Sequence, residues 1–186
     1  MSKYTLIVPI AADTDKMGTE MPYLFGLDSN GLMYCVKSIM GLPLEAFSDI
    51  YFTILHKHNL RYKLLEMMQI QFERLGIAHK THVYELWEST SSQPETLYHT
   101  VVGNHITGAV LFKDGDSYFT TEVYPENMLY IFPLDGLQVV NPQNKSYVTI
   151  DEQYYITNII EKKIVSRFFC AGGYSIEDVQ DFVLEY

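Results

Sequence analysis

Positive charge is what this sequence has least of. Its 186 residues carry 13 Lys and Arg against 23 Asp and Glu, a formal net charge of −10. Such a chain repels nucleic-acid backbones and anionic membrane surfaces, which argues against broad polyanion binding. The shortage is uneven: no Lys or Arg occurs between Asp114 and Asn144, whereas Lys145, Lys162, Lys163 and Arg167 crowd the stretch that follows. Cysteine is scarce too. Cys35 and Cys170 are the only two, both in apolar settings, which points to free buried thiols in a reducing compartment rather than a disulfide framework. No apolar run approaches the length of a membrane span, and Thr5–Ala12 is too short for a secretory signal, so the expected location is the cytoplasm. Internal repeats, low-complexity tracts and linkers are all lacking, and the length suits one domain over 1–186.

What the sequence does have is a hydrophobic fraction of 47% with 15 Tyr and 10 Phe, enough for a globular core rich in large rings. Tyr4–Ile10 reads as a buried first strand, apolar throughout as central parallel strands are. After a polar loop, Leu32–Met40 reads as a helix ended by Gly41. Asp49–Leu55 is a second strand. Asn59–Leu75 carries Leu60, Leu64, Met67, Met68, Phe72 and Leu75 on one helical face and is closed by Gly76. Thr81–Leu86 is a third strand. Ser92 and Glu95 have capping-box spacing, which predicts a helix from about Gln93 to Val102. The apolar run Gly108–Phe112 then reads as a fourth strand.

Alternating strands and helices up to this point predict right-handed crossovers and a mainly parallel sheet. Beyond it the pattern changes to short strand-like runs, Met128–Leu134, Ser146–Ile150, Tyr154–Ile160 and Val165–Ala171. A last capped helix starts at Ser175–Asp178 and presents Val179, Phe182 and Val183. The second part is therefore a mixed β region with a terminal helix.

The stretch with most chemistry in it is Asp114-Gly115-Asp116, at the end of the fourth strand. On composition alone it is an Asp-Gly turn. Yet open α/β sheets bind ligands at the carboxyl ends of their strands, and two carboxylates there suit Mg²⁺, which takes one or two carboxylates alongside phosphate oxygens. Other groups read more blandly. Glu161-Lys162-Lys163 has the composition of a solvated hairpin turn. His56-Lys57-His58 lacks a third ligand at suitable spacing and reads as a surface loop. Tyr154 and Tyr155 alternate across a strand, one inward and one outward. Cys35 lacks the cationic surroundings of a reactive thiolate. Trp87 follows a strand, where core or edge packing is the default.

Several of these stretches, taken in order, are familiar. Ile7-Val8-Pro9-Ile10-Ala11, Met21-Pro22-Tyr23-Leu24, Ser92-Gln93-Pro94-Glu95-Thr96, Asp114-Gly115-Asp116-Ser117-Tyr118-Phe119, Ile160-Glu161-Lys162-Lys163 and Gly172-Gly173-Tyr174 resemble the sugar-phosphate nucleotidyltransferases, or nucleoside-diphosphate-sugar pyrophosphorylases. Asn144-Lys145-Ser146-Tyr147 and Asp151 match as well. The resemblance implies an α/β, Rossmann-like three-layer sandwich with a mainly parallel central sheet. It also implies Mg²⁺-dependent transfer of a nucleotidyl group from a nucleoside triphosphate to a sugar phosphate or related phosphorylated acceptor, in surface-polysaccharide precursor synthesis.

Residue by residue, the resemblance makes Asp116 the metal-binding and catalytic aspartate, with Asp114 beside it. Lys16 stands in for the loop cation. Ala11 and Ala12 take the nucleotide, and Gln93 contacts the base. Glu161 and Lys162 hold the sugar hydroxyls and phosphate, with Gly172 and Gly173 allowing close backbone approach. Self-association is among the expected partnerships.

The departures are informative. The family's first loop is glycine-rich and carries an arginine, with a lysine before the motif's proline; here the loop is Ala11-Ala12-Asp13-Thr14-Asp15-Lys16-Met17-Gly18, with Met21 at the lysine position. An ammonium does not reproduce a guanidinium fork, and Asp13 and Asp15 add negative charge where phosphates would sit. Ser92 replaces the glycine expected beside the base. Family members also supply a second metal-binding carboxylate from chain beyond the position of Tyr186. The alternative expectation is thus a catalytically inactive relative that binds a sugar phosphate or nucleotide-sugar, or serves as a partner subunit.

Overall fold

Four apolar strands form the centre of the first half. They are Tyr4–Pro9 (β1), Asp49–Leu55 (β2), Thr81–Leu86 (β3) and Ala109–Lys113 (β4), all parallel, in the order β3-β2-β1-β4. The structure is a computed structural model and describes residues 4–12, 22–136 and 144–186. It divides into two compact units, Met1–Asn127 with Ser175–Tyr186, and Met128–Tyr174.

In the first unit both sheet faces are covered, which is why its strands read as unbroken apolar runs. Neighbouring residues on β2 point opposite ways. Phe52 stacks on Phe72 of the helix Leu64–Arg74 (α3), ring centroids 5.3 Å apart. Tyr51 instead packs with Ile7, Val110 and Phe112 against Leu97 and Val101 of the helix Gln93–Gly103 (α4) and Val179 of the helix Val179–Glu185 (α5). Helices thus sandwich the sheet.

Local chemistry shifts three helices from their expected form. Residues Asn59–Leu75 make two helices, His56–Tyr62 (α2) and α3, broken at Lys63, whose backbone is left-handed at φ 57. The Asn59 side chain accepts a hydrogen bond from the Leu65 amide across the break (3.0 Å), and Leu60 falls off the buried stripe at 64% exposure. His56-Lys57-His58 is therefore helical rather than a surface loop, with His58 buried against the rings of Phe25 and Tyr62. The helix expected over Leu32–Met40 is a single turn, Tyr34–Lys37 (α1). Beyond it Ser38 donates to the Cys35 carbonyl and the backbone tightens into turns of Lys37–Met40 and Ile39–Leu42. In α5 the cap is Asp178, which accepts from the Gln180 amide (3.1 Å). Ser175 sits instead in a strand, where its hydroxyl meets the Tyr4 hydroxyl and the Tyr124 carbonyl.

The second unit is antiparallel where the first is parallel. Ser146–Ile150 (β6, after Met128–Pro133, β5) pairs with Ile156–Glu161 (β7) on one side and with Phe168–Ile176 (β8) on the other. Strand β5 also pairs with β8. Its core is Tyr147, Val148 and Phe169. Tyr154 and Tyr155 do not alternate across a strand. They lie in the turn before β7, held by Asp151, whose carboxylate accepts from the Gln153 and Tyr155 amides, and both are exposed.

Two devices fix the segment between β1 and β2. Asp28 accepts from the Asn30 and Leu32 amides and from Lys37 Nζ (2.8, 3.0 and 2.8 Å). Gly41 was expected to end a helix; a Cβ there would overlap the Phe119 carbonyl, so its role is to let two backbones touch. Cys35 is buried, which pushes its thiol up to about 12, and both cysteines are free.

Overpacking of this kind costs about 1–3 kcal/mol. Gly41→Ala should therefore lower stability by that amount in a denaturant melt. The Asp28 device should be visible through pH. The Lys37 hydrogen bond, followed by those from Leu32 and Asn30, lowers the Asp28 carboxyl from 3.8 to about 2. A depressed carboxyl stabilises the fold above its unfolded pKa, and that contribution is lost as pH falls through the folded one. The Tm difference between the native chain and Asp28→Asn should hold above pH 4 and shrink towards pH 2, as thermal melts across that range would report.

Candidate active site

The site is built from the end of β4 outward. Lys113, the last residue of β4, is fully buried. Its ammonium donates to the Asp114 carbonyl (2.8 Å), the Ser117 hydroxyl (2.8 Å) and the Ser117 carbonyl, and lies 4.7 Å above the Phe119 ring. An ammonium has three protons to donate, and these three loop oxygens lie within its reach. The Asp114–Ser117 loop is thereby folded back onto the strand it leaves.

Gly115 inside that loop has a specific steric role. Its φ is not left-handed, but a Cβ there would drive into Cγ2 of Ile10, a buried and β-branched side chain with little freedom to move. The loop after β4 therefore lies directly against the segment after β1.

The third wall is the start of α4. The capping box forms, with a shifted partner. Ser92 Oγ accepts from the Glu95 amide (3.3 Å), while Glu95 Oε2 accepts from the amide and hydroxyl of Ser91 (both 2.6 Å), which holds the Glu95 carboxyl below its ordinary value. With the helix entry fixed, Gln93 Nε2 donates to Asp114 Oδ1 at 2.6 Å.

These three segments enclose a cavity of about 450 Å³ lined by Pro9–Ala12, Thr90–Gln93 with Thr96, and Asp114–Asp116. Ala11, Ala12, Gln93, Asp114 and Asp116, five of the residues singled out in the sequence, meet there. Lys16 lies outside the described residues, as do Asp13, Asp15 and Met21. Glu161, Lys162, Gly172 and Gly173 belong to the second unit. There Lys162 Nζ is 3.1 Å from Glu161 Oε1, both side chains exposed, and the Lys162 backbone is left-handed (φ 57) with its amide bonded to the Lys145 carbonyl. Gly172 has φ 84, a conformation that favours glycine.

The cavity is acidic. Among the described residues that line it there are two carboxylates and no Lys or Arg. Lys37 lines a smaller cavity of about 150 Å³ that shares Gly115 and Asp116, but its ammonium is 2.8 Å from Asp28. Tyr23 donates its hydroxyl to Asp116; burial, then the Asp116 charge and this hydrogen bond, push the phenol up to about 12. Tyr23 thus stays a neutral donor at any physiological pH.

The donor set suits a hard cation in one particular way. Among the described residues no three His, Cys, Asp or Glu side chains cluster as a metal cage. Two carboxylates on one turn fit an ion that arrives with phosphate oxygens, as Mg²⁺ does.

Sequence reasoning missed two features. Lys113 was visible only as a charged residue ending an apolar strand, with a serine four residues on. His56, Glu85 and Trp87 stand at the carboxyl ends of β2 and β3. His56 Nδ1 is 2.7 Å from Glu85 Oε2, and the His56 ring packs on Trp87 with centroids 3.9 Å apart and planes tilted by 31°.

No family model and no curated protein matches the sequence. Solved structures do. A nucleoside-diphosphate-sugar pyrophosphorylase from Vibrio cholerae RC9 aligns over 97% of this chain and 76% of its own, with a TM-score of 0.74 and 18% identity. The inositol-1-phosphate CTP transferase from T. maritima aligns over 100% and 74%, with a TM-score of 0.70 and 12% identity. A UDP-glucose pyrophosphorylase complexed with UDP-glucose aligns over 99% and 78%, at 0.65 and 13%. The chain has the sugar-phosphate nucleotidyltransferase fold. The expected α/β architecture is therefore present: a mixed, open sheet with parallel core strands.

Within this fold Lys113 sets the geometry of the Asp114–Asp116 turn. Lys113→Met keeps the strand filled but removes the donor shared by the half-buried Asp114 and Ser117 carbonyls, a loss of about 2 kcal/mol. Tm should fall by roughly 4–8 °C, and the amides of 114–117 should lose hydrogen-exchange protection first.

Proposed function

We propose that this protein is a nucleotidyltransferase that joins a nucleoside triphosphate to a sugar phosphate or related phosphorylated acceptor, supplying precursors for a surface polysaccharide. The supporting observation is the pair of carboxylates on a turn clamped by Lys113, facing the start of α4 across a 450 Å³ cavity at the carboxyl edge of a parallel sheet. That edge is where open α/β sheets bind ligands.

In this reading an acceptor phosphate oxygen attacks the α-phosphorus. One phosphorus–oxygen bond forms, the bond to the bridging oxygen breaks, and pyrophosphate leaves with the electron pair. Mg²⁺, when bound, would neutralise charge on the phosphate oxygens. Asp114 and Asp116 would hold it, Gln93 and Tyr23 orienting their carboxylates by the hydrogen bonds already in place. Ala11 and Ala12 line the cavity without side chains that would obstruct a triphosphate. Glu161 and Lys162, with Gly172 and Gly173, are the proposed acceptor contacts, and Lys16 the proposed loop cation.

One observation favours a second reading, a binding protein without catalysis: the lining of the cavity has no cation among its described residues. Removing a single transition-state contact typically costs on the order of 10²–10³ in rate. Pyrophosphate release decides between them, measured with each common nucleoside triphosphate, Mg²⁺ and a panel of sugar phosphates. The enzyme should release pyrophosphate with one pairing and lose at least roughly 10²-fold in Asp116→Asn. Absence of turnover, together with a rise in Tm on adding nucleotide, would select the binding protein.

A further inference from the structure

Trp87 is 79% exposed, yet it is not loose. Its ring lies on His56 at 3.9 Å. His56 is oriented by Glu85 (2.7 Å), Glu85 Oε2 accepts a second bond from Asn59 Nδ2 (3.1 Å), and Asn59 caps the Leu65 amide of α3. Three side chains, His56, Glu85 and Asn59, thus hold one indole in water. His56, tilted by 31°, covers one face of the ring, and the exposure of Trp87 leaves the other open. An ordered, exposed aromatic face is a platform for a planar ring.

Strand register gives the platform its place. Ile7 pairs with Phe112, Pro9 with Thr53, and Leu55 with Leu86. Continuing the β1–β2 ladder puts Ala11 beside Leu55, which pairs with Leu86, and Ala11 and Asp116 line the same cavity. Ala11, Leu55 and Leu86 do pack as one cluster, and His56 and Trp87 are the next residues along their chains. The carboxyl edge of the sheet therefore carries a row from Asp116 in the loop after β4, past the small Ala11 after β1, to His56 and Trp87, which directly follow β2 and β3. Three strand spacings of about 4.8 Å make the row roughly 14 Å long, comparable to an extended nucleoside triphosphate. Its ends differ in chemistry: carboxylates suited to a metal on the phosphates at one, an open aromatic face at the other.

We infer that the Trp87–His56 pair is the stacking platform for the nucleobase. This rests on the nucleotide-binding reading above and relocates the base from Gln93, whose amide is bonded to Asp114, to the far end of the row. Trp87 would then be a substrate-binding residue, and His56, Glu85 and Asn59 positioning residues acting through it.

Trp87 is the only tryptophan in the chain, so intrinsic fluorescence reports on this position alone. The test titrates the full chain with Mg²⁺ and each of UTP, CTP, TTP, GTP and ATP, and with Mg²⁺ and inorganic tripolyphosphate, following emission and Tm in parallel. A nucleotide that raises Tm should quench Trp87, while tripolyphosphate leaves its emission unchanged. Trp87→Ala should weaken that nucleotide's binding by roughly 5- to 150-fold, the range of one base–aromatic stack, with tripolyphosphate affinity unaltered. Trp87→Phe should restore most of the loss. A nucleotide that raises Tm without altering Trp87 emission, or that binds Trp87→Ala equally well, overturns the platform and leaves the nucleotide reading standing. Absence of any Tm response to all five nucleotides overturns both.

Discussion

The geometry of the candidate site depends on a single buried ammonium. A charge removed from water is costly unless the interior returns what solvent gave it. At Lys113 the chain that follows turns back and offers its own oxygens. The Asp114 carbonyl and both oxygens of Ser117 are those partners. One residue therefore dictates the conformation of the next four. The turn that carries Asp116 is held by that contact, and along the same stretch Gly115 lies against Ile10 and Phe119 against Gly41.

The same arrangement determines what the cavity can accept. Lys113 is turned inward and Lys37 is held by Asp28, so the described cations nearest the carboxylates serve the fold. Tyr23 adds a neutral donor to Asp116 rather than a charge. Among the described residues, nothing that lines the cavity offsets an anionic ligand at Asp114 and Asp116; a divalent ion on phosphate oxygens would.

Much of this was legible in the sequence, and the parts that were share a physical cause. Buried parallel strands must be apolar on both faces, so β1, β2, β3 and β4 were visible as runs. Ser92 and Glu95 announce a helix start because their partners lie within four residues. The failures are contacts between residues distant in sequence. Gly41 looked like a helix terminator because its partner, the Phe119 carbonyl, lies far along the chain. Asn59–Leu75 looked continuous because periodicity does not register a left-handed Lys63. Lys113 looked like the polar end of a strand, since no local pattern distinguishes an ammonium that faces water from one enclosed by its own loop. Trp87 looked like edge packing because His56 and Glu85 meet it only once β2 and β3 pair.

Hydrogen–deuterium exchange with and without a saturating Mg²⁺–nucleoside triphosphate tests the central claim most directly. A ligand seated on the row of strand ends should protect amides in Ile10–Ala12, Thr90–Thr96 and Asp114–Ser117 together, since these segments line one cavity. Protection that appears elsewhere and leaves these three segments unchanged at saturation would contradict it.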